Sequence, residues 1–100
     1  MKMITGIVRT ICLERIVKAL DHVNIRELTI SEVKGTGKQV TLGNAYAVHA
    51  MVQIIVPDEV AHDAADAIVQ HACTGSAGDG IVVVSPIDYV IKIRTKERVE

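Results

Sequence analysis

Apolar residues recur along the chain with two spacings, and the changes of spacing predict its elements. Met1–Arg9 carries β-branched residues at Ile4, Thr5, Ile7 and Val8 and predicts a strand. Leu13, Ile16, Val17 and Leu20 then fall at i, i+3, i+4 and i+7, one apolar stripe on a helix that Asn24 helps to end. In ELTISEVK, Leu28, Ile30 and Val33 stand among polar residues and predict a second strand. Gly35–Ala47 is glycine-rich and without pattern, so it reads as the longest loop. A third strand, MVQIIV, ends at Pro57. Asp58 and Glu59 suit the first turn of a second helix, whose apolar face is Val60, Ala64, Ala67 and Ile68. After TGSAGDG, the run IVVV is apolar enough for a central strand, and the tail DYVIKIRT alternates as a short fifth.

Two strand–helix–strand units in one chain predict an α+β, ferredoxin-like βαββαβ sandwich over residues 1–100. Both helices would lie on one face of a four-stranded antiparallel sheet. The other face then needs cover, which points to an oligomer.

Composition narrows the functional classes. A chain of 100 residues buries only about two thirds of its unfolded surface, and its apolar residues include no Phe or Trp. Subunit contact would supply the missing burial. The formal net charge is −1, Lys and Arg are scattered, and Tyr46 and Tyr89 are the only aromatics, so a nucleic-acid partner gains no support. Cys12 and Cys73 form no CxxC and suit a reducing compartment. Val40–Pro57 contains no charge, yet its Thr, Gly, Asn, His and Gln make it a loop feeding a strand, not a membrane span. The opening residues lack a signal-peptide core, and a cytoplasmic protein is expected.

The chemistry gathers around glycines. TGSAGDG, residues 74–80, could turn its N–H groups toward an anion, because no Cβ blocks the approach. It leaves a helix and enters a strand, which is the wrong order for a dinucleotide fingerprint or a Walker loop. By itself it reads first as a helix-ending turn and only second as a phosphate cradle. VKGTGKQ supplies a second glycine loop with Gly35 and Gly37. Lys92 and Arg94, two apart in IKIRT, would share one side of a strand, either as a solvated edge or as phosphate ligands.

Taken together and in order, MKMI, TISEVKGTGKQ, QIIVPDE, TGSAGDG and VIKIRT resemble the PII signal-transduction proteins and their PII-like relatives over nearly the full length. The resemblance implies a trimer that binds ADP, AMP or ATP between subunits and signals to a target protein through a T-loop. That loop would span about 36–50, a B-loop 74–80 and a C-terminal basic strand 88–96. By position, Ile7, Thr29 and the backbone near Gln53 and Ile55 would surround adenine and ribose. Gly35, Gly37, Lys38 and Gln39 would approach from the T-loop. Gly78, Asp79, Gly80, Lys92 and Arg94 of a neighbouring subunit would meet the phosphates.

Several positions depart from the family. Ile81 stands where a basic residue normally follows the B-loop, Val83 where an aromatic is usual, and Lys92 where Arg is usual. The T-loop is shorter than usual, and its modification motif has become LGNAYA around Tyr46, which reads as a loop tyrosine. His49 and Met51 replace lysines of a 2-oxoglutarate site. Loss of charge-assisted contacts predicts ADP or AMP over ATP. Lys38, Gln39 and His49 could hold a small anion such as bicarbonate, as in carboxysome-linked relatives; a cyclic dinucleotide is a further possibility.

Other classes are less well served. His62 and Asp66 share a helix face with no third metal ligand, and Cys73 has no His–Asp arrangement around it. A non-enzymatic regulator is expected. The alternatives are a nitrogen-regulatory PII protein sensing ATP, ADP and 2-oxoglutarate, or a ligand-free structural or metal-binding trimer of this fold.

Overall fold

The β-branched and alternating segments pair into one antiparallel sheet. The computed structural model describes residues 1–36, 47–76 and 78–100. Strands β1 (Lys2–Val8), β2 (Thr29–Gly35), β3 (Ala47–Val56) and β4 (Gly80–Pro86) lie in the order β2-β3-β1-β4. Helices α1 (Leu13–His22) and α2 (Asp58–Ala72) complete the βαββαβ order, so the ferredoxin-like α+β expectation is met.

The period of two along β1 and β3 builds the core. Ile4 and Val8 of β1, with Ala50, Val52, Ile54 and Val56 of β3, are buried under the helices. They meet Ile16 and Leu20 of α1 and Ala61, Ala64, Ile68 and Ala72 of α2. The small residues of α2 let it lie close to the sheet. A methyl on Gly6 would come within 3.3 Å of Ile68 Cγ2, so this contact leaves little room for a larger residue. The α1 turn closes where Asn24 takes a left-handed φ of 65°, and acidic Asp58 and Glu59 occupy the first turn of α2.

Three expectations need correction. IVVV lies in β4, which pairs only with β1 and is an edge of this sheet, not a central strand; Ile81, Val83 and Val84 are exposed. Apolar content alone does not say whether a strand has neighbours on both sides. The third strand begins at Ala47, so residues 47–50, expected at the end of the T-loop, are strand. The expected basic strand over 88–96 is broken. Only Val90–Ile91 (β5) pairs, and its partner is Arg98–Val99 (β6). Between them Ile93–Thr95 turn, Lys96 adopts a φ of 60°, and its N–H bonds the Lys92 carbonyl at 2.7 Å. Lys92 and Arg94 therefore do not share the side of a strand.

Candidate functional site

Cross-strand register sorts the candidate residues onto the helix-free face of the sheet. Ile7 stands opposite Met51 on one side and Ile81 on the other, and Gln53 stands between Thr5 and Thr29. Side chains opposite one another project from the same face, so all of these turn away from the helices.

Two clefts lie along that face. The first, of about 510 Å³, brings together Ile7, Gly35, His49, Gly78 and Gly80, with Lys34 and Ile81 also on its wall. The second, of about 520 Å³, contains Thr29, Gln53 and Ile55 beside Met3 and Arg26. These eight expected residues thus fall into two groups that follow one another along β2 and β3, and Asp79 lines neither cleft. Gly78 and Gly80 meet Ile7 and Gly35 within one chain, whereas the resemblance implied that they come from a neighbour. Lys92 and Arg94 lie in the separate C-terminal hairpin, and Gly37, Lys38, Gln39 and Tyr46 fall outside the described residues.

The B-loop wall is held by its own acid. The Asp79 carboxylate accepts hydrogen bonds from the N–H groups of Thr74 at 2.6 Å, Gly75 at 2.9 Å and Ser76 at 3.3 Å, and from the Thr74 hydroxyl at 2.5 Å. Hydrogen bonds from the Thr74 hydroxyl and N–H lead in holding its pKa down to about 2, with Gly75 and Ser76 adding to the effect. Such donors stabilise the ionised form and leave little for the neutral acid.

Arg9, directly after β1, was missed by the sequence reading. Its Nη2 donates to the Ser76 hydroxyl at 2.5 Å, and its Nε lies 3.4 Å from Asp79 Oδ1, an ion-pair contact without hydrogen-bond alignment. A single arginine after a strand has no spacing signature, so only the fold could find it.

Glycines set how closely the loop approaches. Gly80 has a φ of +104°, and a Cβ there would lie 1.8 Å from the Ile7 carbonyl oxygen. At Gly78 a Cβ would meet the Arg9 guanidinium at 2.7 Å. The Gly78 carbonyl receives a hydrogen bond from His49 Nε2 at 3.2 Å, which ties the start of β3 to the B-loop. A carbonyl only accepts, so this contact assigns the proton to Nε2.

Among the described residues no group of His, Cys, Asp and Glu is placed to hold a metal. Cys12 is buried and Cys73 exposed, and both are free thiols. Among the described residues no helix is long and apolar enough to cross a membrane.

This architecture defines a small ferredoxin-like domain with two clefts on the helix-free face of its sheet. The family model described as "Nitrogen regulatory protein P-II" matches residues 1–97. A nitrogen regulatory protein P-II of Azospirillum brasilense is 34% identical over 107 residues, covering 98% of this chain and 96% of that protein. Its counterpart in Rhizobium etli is 36% identical over 106 residues, covering 97% and 95%. Nitrogen regulatory protein P-II 1 of Escherichia coli K12 gives the same 36%, 97% and 95% over 106 residues. The chain belongs to the P-II family, a family of regulatory signalling proteins.

Proposed function

We propose that this chain is a non-enzymatic regulator that binds adenine nucleotides on the helix-free sheet face and works as a homotrimer with a shortened T-loop. The observation that carries the reading is the cleft that joins Ile7, Gly35, Gly78 and Gly80 from distant parts of the sequence. Glycine backbone on two sides suits phosphate oxygens, which approach closely where no Cβ stands. Thr29, Gln53 and Ile55, further along the same face, suit a base and ribose through one apolar wall and polar edges. Lys92 and Arg94 would come from a neighbour, because their own hairpin stands apart from these clefts. Exposed Ile55, Ile81 and Val83 give such a neighbour an apolar surface to cover.

ADP or AMP is favoured over ATP. Lys34 is the only Lys or Arg among the described residues of the first cleft, Ile81 presents an apolar side chain, and Arg9 is engaged by Ser76 and Asp79. Each absent charge-assisted contact weakens binding by about 1.5–3 kcal/mol, and the outermost phosphate loses most.

The names of the relatives favour a second reading, nitrogen regulation, for which the family resemblance implies 2-oxoglutarate as co-effector. Bicarbonate, and with it a carboxysome-linked carbon role, depends on His49 together with Lys38 and Gln39. His49 Nε2 is already bonded to Gly78.

Calorimetric titration with AMP, ADP and ATP, each with 2-oxoglutarate or bicarbonate, tests the proposal. Tighter ADP or AMP binding is expected, and the co-effector that sharpens it assigns the pathway. Tighter ATP binding overturns the preference, and no binding of any nucleotide overturns the reading itself. Light scattering on the same sample reports the trimer.

A further inference from the structure

The amides of Thr74, Gly75 and Ser76 converge as an anion-binding nest, and the chain fills that nest itself with the Asp79 carboxylate. A phosphate arriving at the B-loop would therefore find those three donors taken. Arg9 joins the arrangement from outside. Its guanidinium reaches Ser76 and Asp79 together and passes 2.7 Å from where a Cβ on Gly78 would stand. The Ser76 hydroxyl also accepts from the Gly78 N–H at 3.3 Å, so the one hydroxyl links the arginine to the glycine on the cleft wall.

We propose that Arg9 and Asp79 are positioning residues for the phosphate end of the cleft. Asp79 acts as a built-in anion that shapes Thr74–Ser76, and Arg9 fastens that shape to the end of β1. The ligand's phosphates then pack against the Cβ-free backbone of Gly78 and Gly80, whose shape is set before they arrive, with the Gly78 N–H already given to Ser76. This inference rests on the nucleotide reading of the cleft. Neither residue touches the ligand; they act through the glycines.

The test follows backbone amide signals of the isotopically labelled full chain by nuclear magnetic resonance. ADP is expected to shift Gly78 and Gly80 while leaving Thr74, Gly75 and Ser76 in place. In Asp79→Ala the three nest amides are released, and inorganic phosphate alone is expected to shift them while leaving them unmoved in the native chain. Asp79→Gly, which also removes every side-chain acceptor, serves the same purpose if the alanine variant does not fold. Arg9→Gln is expected to keep the fold, to speed hydrogen exchange at Thr74–Ser76, and to weaken ADP binding about tenfold or more, the scale of one charge-assisted contact. Arg9→Lys is expected to restore only part, since one ammonium cannot span both partners as the fork does.

Native nest amides that shift with ADP as strongly as Gly78 and Gly80 would overturn the inference. So would Arg9→Gln with unchanged exchange in the loop. If the native chain binds no nucleotide, the cleft reading falls by itself. The clamp is then judged by the exchange of Arg9→Gln and by the phosphate response of the Asp79 variants.

Discussion

His49 Nε2 lies 3.2 Å from the carbonyl oxygen of Gly78, joining two buried residues separated by 29 positions in the chain. The bond fastens the start of β3 to the loop that forms the opposite wall of the cleft. His49→Leu keeps an apolar filling but leaves the Gly78 carbonyl unpaired, at a cost of about 1–3 kcal/mol. Urea unfolding of the variant measures this, and a midpoint equal to that of the native chain would show that the bond contributes nothing.

Glycine positions in the same cleft are expected to differ sharply. Gly80→Ala combines a positive φ with a Cβ 1.8 Å from the Ile7 carbonyl, so it should cost about 3 kcal/mol or more, or abolish folding. Gly35→Ala meets nothing within 4 Å and should change stability by no more than about 0.5 kcal/mol. Thermal melts of the two variants compare them directly.

Acid stability should carry the mark of Asp79. Its pKa is about 2 in the folded chain against an ordinary 3.8, so the folded state binds fewer protons than the unfolded state between those values. The stabilisation is therefore complete above pH 3.8 and is lost as pH falls through about 2. Asp79→Asn should be less stable than the native chain at neutral pH, with the two curves converging toward pH 2. Denaturation midpoints against pH would show it; parallel curves would count against the ionised carboxylate as the cause.

Ile81 offers a test of ligand preference. It is 59% exposed, so Ile81→Lys sacrifices little packing and adds a cation to the wall of the first cleft. Calorimetry should show ATP binding strengthened about tenfold, with ADP changing less. Equal gains for both would mean that the side chain does not reach the outermost phosphate.

Much of the fold was legible because β1, α1 and α2 declare themselves through spacing. Ile4 and Val8 alternate with residues of the open face, and Ile16 and Leu20 repeat at helical intervals. The edge position of β4 was not legible, since Ile81–Val84 would look the same in a strand paired on both sides. The C-terminal tail misled for a related reason. A few alternating residues suit a strand, yet Ile93 is 92% exposed within a turn.

The candidate site was legible where several residues formed a run, as in the B-loop and the segment around Gly35. Arg9 and the nest of Thr74–Ser76 were not, because their roles arise from contact across the fold. The partnership of Arg9 with Ser76 spans 67 positions and leaves no local pattern.

Strand β1 is hydrogen-bonded along both edges, to β3 and to β4. Ile7, on the floor of the first cleft, therefore belongs to the part of the protein that should open last in hydrogen exchange. The wall above it is fastened by two side chains, Arg9 and His49, whose release exposes far less surface than global unfolding. The lifetime of a bound ligand would then be set by how often these two fastenings let go, and could be tuned by substitution without altering how long the domain itself stays folded.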